Sequence, residues 1–167
     1  PLDRFMGRSE YERVLGEMRL GNGTLFPIPI TLPVSDRDEV SAGQSIVLRS
    51  PNFDLLALMR VEEVFPWDLH AEAQAVFGST DVRHPLISQM HAWGRRYIAG
   101  PLHVLNLPKH YDFADLRRSP AEVRELLDRR GNRNVVAFQT RNPLHRVHEE
   151  LTKRAADEIG GSLLIHP

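Results

Sequence analysis

No cysteine occurs in the 167 residues, which excludes disulfides and thiolate metal sites and agrees with a reducing compartment. Long apolar runs are missing too: no stretch reaches membrane-spanning length, and the start shows no basic-then-apolar leader. A cytoplasmic protein with no membrane partner is the expectation. Lysine is almost absent, at Lys109 and Lys153 alone, so arginine supplies nearly all the positive charge. The acidic side chains balance it to a net charge of -1, and no stripe interleaves basic with aromatic residues, so nucleic acid is not an expected partner. Internal repeats and low-complexity tracts are absent. The first residue is a proline, and Pro167 follows an apolar, strand-like run, so the chain reads as a piece of a longer one.

What is present divides the chain in two. Ser9 to Arg19 suits a helix, with Tyr11, Val14, Leu15 and Met18 at helical spacing and Gly21-Asn22-Gly23 after it. Thr24 to Val34 is interrupted by prolines at 27, 29 and 33, which suit an edge strand or an extended segment. Ser45 to Arg49 and Leu55 to Val64 read as a hairpin turning at Ser50-Pro51-Asn52. Asp68 to Phe77 is a short helix with Asp68 as cap and Gly78 as stop, and Tyr97 to Leu107 is a strand broken at Gly100-Pro101. These short strands describe a small, mainly β module.

Near His110 the pattern changes. Ser119-Pro120-Ala121-Glu122 is a helix start: serine as cap, proline at the first position, glutamate three after the cap, with Gly131 as the stop. Val123, Leu126 and Leu127 form its apolar stripe. Val135 to Phe138 then reads as a strand, Pro143 to Ile159 as a helix with Asn142 as N-cap, and Leu163 to Ile165 as a second strand. That is a βαβ unit, which implies a parallel pair. Leu144, Val147, Leu151, Ala155 and Ile159 are the predicted sheet-facing stripe of its helix.

The loop of this unit carries the chemistry. A strand feeding a helix N-terminus through a polar loop favours an anion, because the first helical amides lack partners and the helix dipole is positive there. Arg141 adds a forked cation, and His145 and His148 lie three apart at the helix start. Gln139 stands at a strand end, where open α/β sheets bind ligands, and His166 ends the next strand on the same edge. Zinc protease chemistry is excluded, since Thr152 stands where the second histidine of that motif belongs. His84 and His110 read as loop or packing residues, and the pairs Arg95-Arg96 and Arg129-Arg130 as solvated surface.

The run Gln139-Thr140-Arg141-Asn142-Pro143-Leu144-His145-Arg146-Val147-His148-Glu149 resembles the signature of the ATP sulfurylase family, nucleotidyltransferases with paired histidines. Further agreement lies at Pro1-Leu2 with Phe5-Met6, Met18 to Leu20, Gly23 to Pro29, His110 to Phe113, and Leu163 to Pro167. The resemblance implies a PUA-like, mainly β domain over 1–110. It also implies the first βαβ unit of a Rossmann-like nucleotidyltransferase domain over 111–167, incomplete, with the family's later Gly-Arg-Asp-type segment absent. The implied reaction joins ATP and sulfate into adenosine 5′-phosphosulfate (APS) and pyrophosphate, or the reverse.

By the same resemblance, Thr140, Arg141 and Asn142 are catalytic; Gln139, Asn142, His145 and His148 bind ATP; and Gln139 and Arg141 bind sulfate. Mg2+ accompanies the nucleotide, with no dedicated protein metal site. A homo-oligomer is expected at full length, with an adenylylsulfate kinase fused or associated. The competing readings are an adenylyltransferase for another acceptor and an inactive sulfurylase-like scaffold. This chain alone is expected to be inactive.

Overall fold

A computed structural model describes residues 2–131 and 133–167. It falls into two compact units, one ending at Lys109 and the other spanning His110–Pro167. In chain order the first unit holds β1 (Arg4–Phe5), α1 (Arg8–Glu17), β2 (Leu32–Val34), β3 (Ser45–Arg49), β4 (Leu55–Arg60) and β5 (Glu63–Pro66). It continues with α2 (Leu69–Phe77), α3 (Pro85–Met90) and β6 (Arg96–Val104). The second holds a 3-10 turn at Ala114–Leu116, then α4 (Pro120–Arg129), β7 (Val135–Gln139), α5 (Arg146–Glu158) and β8 (Ser162–His166).

The first unit is built around β6, which pairs antiparallel with β1, β2, β4 and β5. Because side chains alternate across a strand, β6 serves two cores at once. Tyr97 and Ala99 enter one with Phe65, Trp67 and the helices, while Ile98 enters the other with Met59 and Val61. In the larger core Trp67 stacks on Tyr97 with ring centroids 4.7 Å apart, and Trp67 Nε1 donates to the Gly94 carbonyl at 2.7 Å, so the indole is buried without losing its hydrogen bond.

Three expectations about this unit are corrected. The strand expected over Leu55 to Val64 is two, β4 and β5, separated at Val61 and Glu62 and both paired to β6. Val61 is fully buried at that corner, which is why its apolar character reads as continuous strand. The break expected at Gly100-Pro101 does not occur, since β6 runs through it and both residues pair with β1. The glycine is there for proximity: a Cβ at Gly100 would sit 1.9 Å from the Arg60 carbonyl oxygen. The strand also stops at Val104 rather than Leu107. The short helix α3, with Ile87 and Met90 buried, has no counterpart in the sequence reading.

In the second unit β7 and β8 are parallel, in a register that pairs Gln139 with His166, and α5 connects them. The expected cap of α4 is present in full: Ser119 Oγ accepts from the Glu122 amide, and the Glu122 carboxylate accepts from the Ser119 amide at 2.6 Å. The start of α5 is corrected. It begins at Arg146, three residues after Pro143, and its N-cap is His145. The expected stripe is corrected as well. Thr152 and Ala156 are the buried residues of α5, whereas Leu144, Val147, Leu151 and Ile159 are exposed. The face turned to the strands is the one bearing His148, Thr152 and Ala156.

Candidate functional site

The site is the segment from Gln139 to His148. Gln139 is the last residue of β7, opposite His166 on β8, so both stand at the C-terminal edge of the parallel pair. The Thr140 amide donates to the His166 carbonyl at 3.0 Å and carries the ladder one step beyond the strand. The chain then turns on Thr140: its Oγ1 accepts from the Asn142 amide and donates to the Asn142 carbonyl, both at 3.1 Å. This turn engages both main-chain polar groups of Asn142, and the chain has still not entered the helix at His145, which is extended at φ -90° and ψ 153°. Asn142 is therefore a turn residue, which explains why the helix does not start at Pro143.

The two histidines make the cap themselves. His145 Nδ1 accepts from the Val147 amide and His148 Nδ1 accepts from the His145 amide, each at 3.3 Å. Their rings stand nearly perpendicular with centroids 6.3 Å apart, and the half-buried His148 ring lies 5.5 Å from Phe138 of β7. Thr152 Oγ1 donates back to the His148 carbonyl at 2.8 Å, tying the first turn to the second. A Glu149–Lys153 ion pair flanks the site and holds the Glu149 carboxyl below the usual carboxylate range.

Two helix-start amides that the sequence leaves open for an anion are thus occupied by ring nitrogens. A neutral imidazole that accepts at Nδ1 carries its proton at Nε2, so each ring keeps one N–H donor for a ligand. Arg141 is exposed in the loop between them and β7, and among the described residues no carboxylate pairs with its guanidinium. Gln139 is exposed and alternates with Phe138, so its side chain leaves the strand on the face opposite the Phe138–His148 contact. The structure brings Thr140, Asn142, His145 and His148 into one hydrogen-bonded turn and cap, with Arg141 free within it and Gln139 at its edge.

Donors of this kind suit phosphate or sulfate oxygens: a forked guanidinium, two imidazole N–H groups and a positive helix end. Side-chain oxygens at the loop amount to the Thr140 hydroxyl and the Gln139 and Asn142 amide oxygens, with no carboxylate among residues 139–148. Among the described residues no helix is long and apolar enough to cross a membrane.

Known families match the two units separately. Residues 1–107 match the PUA-like domain family and residues 114–167 match the ATP-sulfurylase family. Over its whole length the chain is 43% identical to the sulfate adenylyltransferase of Mycosarcoma maydis, covering 30% of that protein. It is 44% identical to that of Symbiobacterium thermophilum, covering 42%, and 41% identical to that of Schizosaccharomyces pombe, covering 35%. Among solved structures, the hexameric APS kinase from Thiobacillus denitrificans superposes on the entire chain with a TM-score of 0.75 at 33% identity, over 29% of that chain. The chain thus spans less than half the length of each of these relatives.

Proposed function

The chain belongs to the PUA-like domain family over residues 1–107 and carries the start of an ATP-sulfurylase domain over residues 114–167; from this we propose that it is the N-terminal part of a sulfate adenylyltransferase. The observation that carries the reading is the loop from Gln139 to His148, where an arginine without a carboxylate partner among the described residues and two histidines that cap the helix through Nδ1 stand at the C-terminal edge of a parallel strand pair, inside the ATP-sulfurylase match. Open α/β sheets bind their ligands at that edge.

In the proposed reaction a sulfate oxygen attacks the α-phosphorus of ATP. A sulfate O–P bond forms, the bond from the α-phosphorus to the bridging oxygen of the pyrophosphate breaks, and pyrophosphate leaves with that electron pair. Sulfate is a dianion and needs no general base. The opposing forces are repulsion between anions and charge growing on the leaving group, so fixed positive potential and positioning supply the catalysis.

Arg141 holds sulfate through its fork, with Gln139 beside it. Thr140 and Asn142 keep the turn that presents Arg141 and stabilise charge developing on the transferring group. His145 and His148 donate from Nε2 to the ATP phosphates, and Gln139 and Asn142 complete the nucleotide contacts. Mg2+ arrives as the companion of ATP, part of the substrate, and offsets phosphate charge. The reading places the protein in the cytoplasm, as a homo-oligomer at full length, with an adenylylsulfate kinase as fused or associated partner. The similarity to a hexameric APS kinase supports those last two points.

The test is ATP formation from APS and pyrophosphate, run on this chain and on the full product of its gene. Activity in the longer protein alone supports the reading, with the remainder of the domain completing the site. Silence in both, each shown to be folded, overturns it in favour of a scaffold.

A further inference from the structure

Far from the loop in sequence, the first unit holds an acid with no evident use. Glu72 lies on α2 (Leu69–Phe77), whose other buried residues, Leu69 and Ala73, are apolar, and only 6% of it is exposed. Tyr11 and Tyr97 both donate their hydroxyls to Glu72 Oε2, at 2.9 and 2.8 Å. Oε1 has no hydrogen-bond partner among the described residues, and no lysine, arginine or histidine forms an ion pair with the carboxyl there. A buried carboxylate with two neutral donors and no cation is costly, because its charge is desolvated without a counter-charge.

Glu72 also lines a cleft of about 150 Å³. Every side-chain nitrogen or oxygen sealed from solvent among the described residues has a partner, so Oε1 is not fully sealed, and Glu72 is the charged residue among those that line the cleft. Apart from Thr31 the other walls are apolar and partly aromatic, with Ile28, Ile30, Val76, Phe77, Met90 and Trp93 among them. Ile28 and Ile30 are 52% and 42% exposed at its rim. An apolar cavity of about 150 Å³ accommodates a molecule the size of benzene.

We propose that this cleft binds a small organic cation of the alkylammonium class, its methyl groups against the apolar wall and its charge facing Glu72 Oε1 and the Trp93 and Phe77 rings. Such a cation supplies the counter-charge the site lacks. A quaternary ammonium loses little hydration on entry and is favoured by aromatic faces, whereas an inorganic cation would find a single carboxylate oxygen among hydrocarbon. The site belongs to the β-rich unit and is independent of the sulfurylase reading.

Tetramethylammonium and its neutral isostere tert-butanol distinguish a cation site from a plain apolar crevice. Each is titrated into the protein while the Trp93 indole N–H resonance is followed by NMR, with the Trp67 indole as control for the fold. The expected result is a saturable shift at Trp93 with tetramethylammonium, at concentrations on the order of 1–10 mM, and binding of tert-butanol at least about tenfold weaker. Glu72→Gln is expected to abolish that preference, and Val76→Phe, which narrows the cleft, to abolish both shifts. Equal affinity for the two probes, a shift that never saturates, or an undiminished response in Val76→Phe would each overturn the proposal. The Val76→Phe arm remains decisive if Glu72→Gln fails to fold.

Discussion

His145 and His148 each turn Nδ1 toward the backbone, which leaves Nε2 as the ring nitrogen outside the cap. Nitrogen-15 NMR of the neutral protein is expected to show both rings in the Nε2–H form; Nδ1–H in either would break the cap described above. Arg141 stands free in the same turn, and its planar fork matches two sulfate oxygens as a lysine ammonium does not. Glu72 gives a second residue-level prediction. Burial raises its carboxyl above the ordinary value, while the hydrogen bonds from Tyr97 and Tyr11 pull the other way. Between the ordinary carboxylate value and its own, the native state holds a proton that the unfolded state has released, so stability falls as pH rises through that window. Thermal melts of wild type and Glu72→Gln should differ in slope there, the variant being flatter; parallel curves would show that Glu72 ionises alike in both states.

At the scale of elements, legibility followed local chemistry. Asp68 accepts from the Ala71 amide at 2.7 Å, and Ser119 and Glu122 form their reciprocal cap, because these side chains have one strong local use. Asn142 had two, a cap or a turn, and the Thr140 hydroxyl decided for the turn. A capping histidine is not a common cap, so the pattern His-x-x-His pointed to a ligand without revealing that the rings also start the helix. The division of Leu55–Val64 and the continuity of β6 were illegible for a different reason: both depend on β6 meeting four other strands, a tertiary fact. Gly100 read as a break when it marks close approach to the Arg60 carbonyl. Gly100→Ala is therefore expected to destabilise the first unit by at least about 2 kcal/mol in urea unfolding, well beyond a usual surface change. A loss within about 0.5 kcal/mol would show that the strands separate there at little cost.

For the whole molecule, the change from β-rich to α/β character was legible because hydrophobic periodicity changes with it, and the structure resolves two units of these kinds. The face of α5 was not. Leu144, Val147 and Leu151 look like a core stripe yet are exposed, and Thr152 and Ala156 are buried in their place. Amphipathicity reports that an apolar face exists, and which neighbour it meets depends on the rest of the domain. The matched relatives are more than twice as long as this chain, so the central claim is tested on the full product of the gene. The measurement is the rate of ATP formation from APS and pyrophosphate with Arg141→Ala beside wild type. The account predicts a loss of at least about a hundredfold, the scale of removing one preorganised charge-stabilising group, without recovery in Arg141→Lys. An undiminished rate in a folded Arg141→Ala protein would contradict it and remove the loop's arginine from the chemistry.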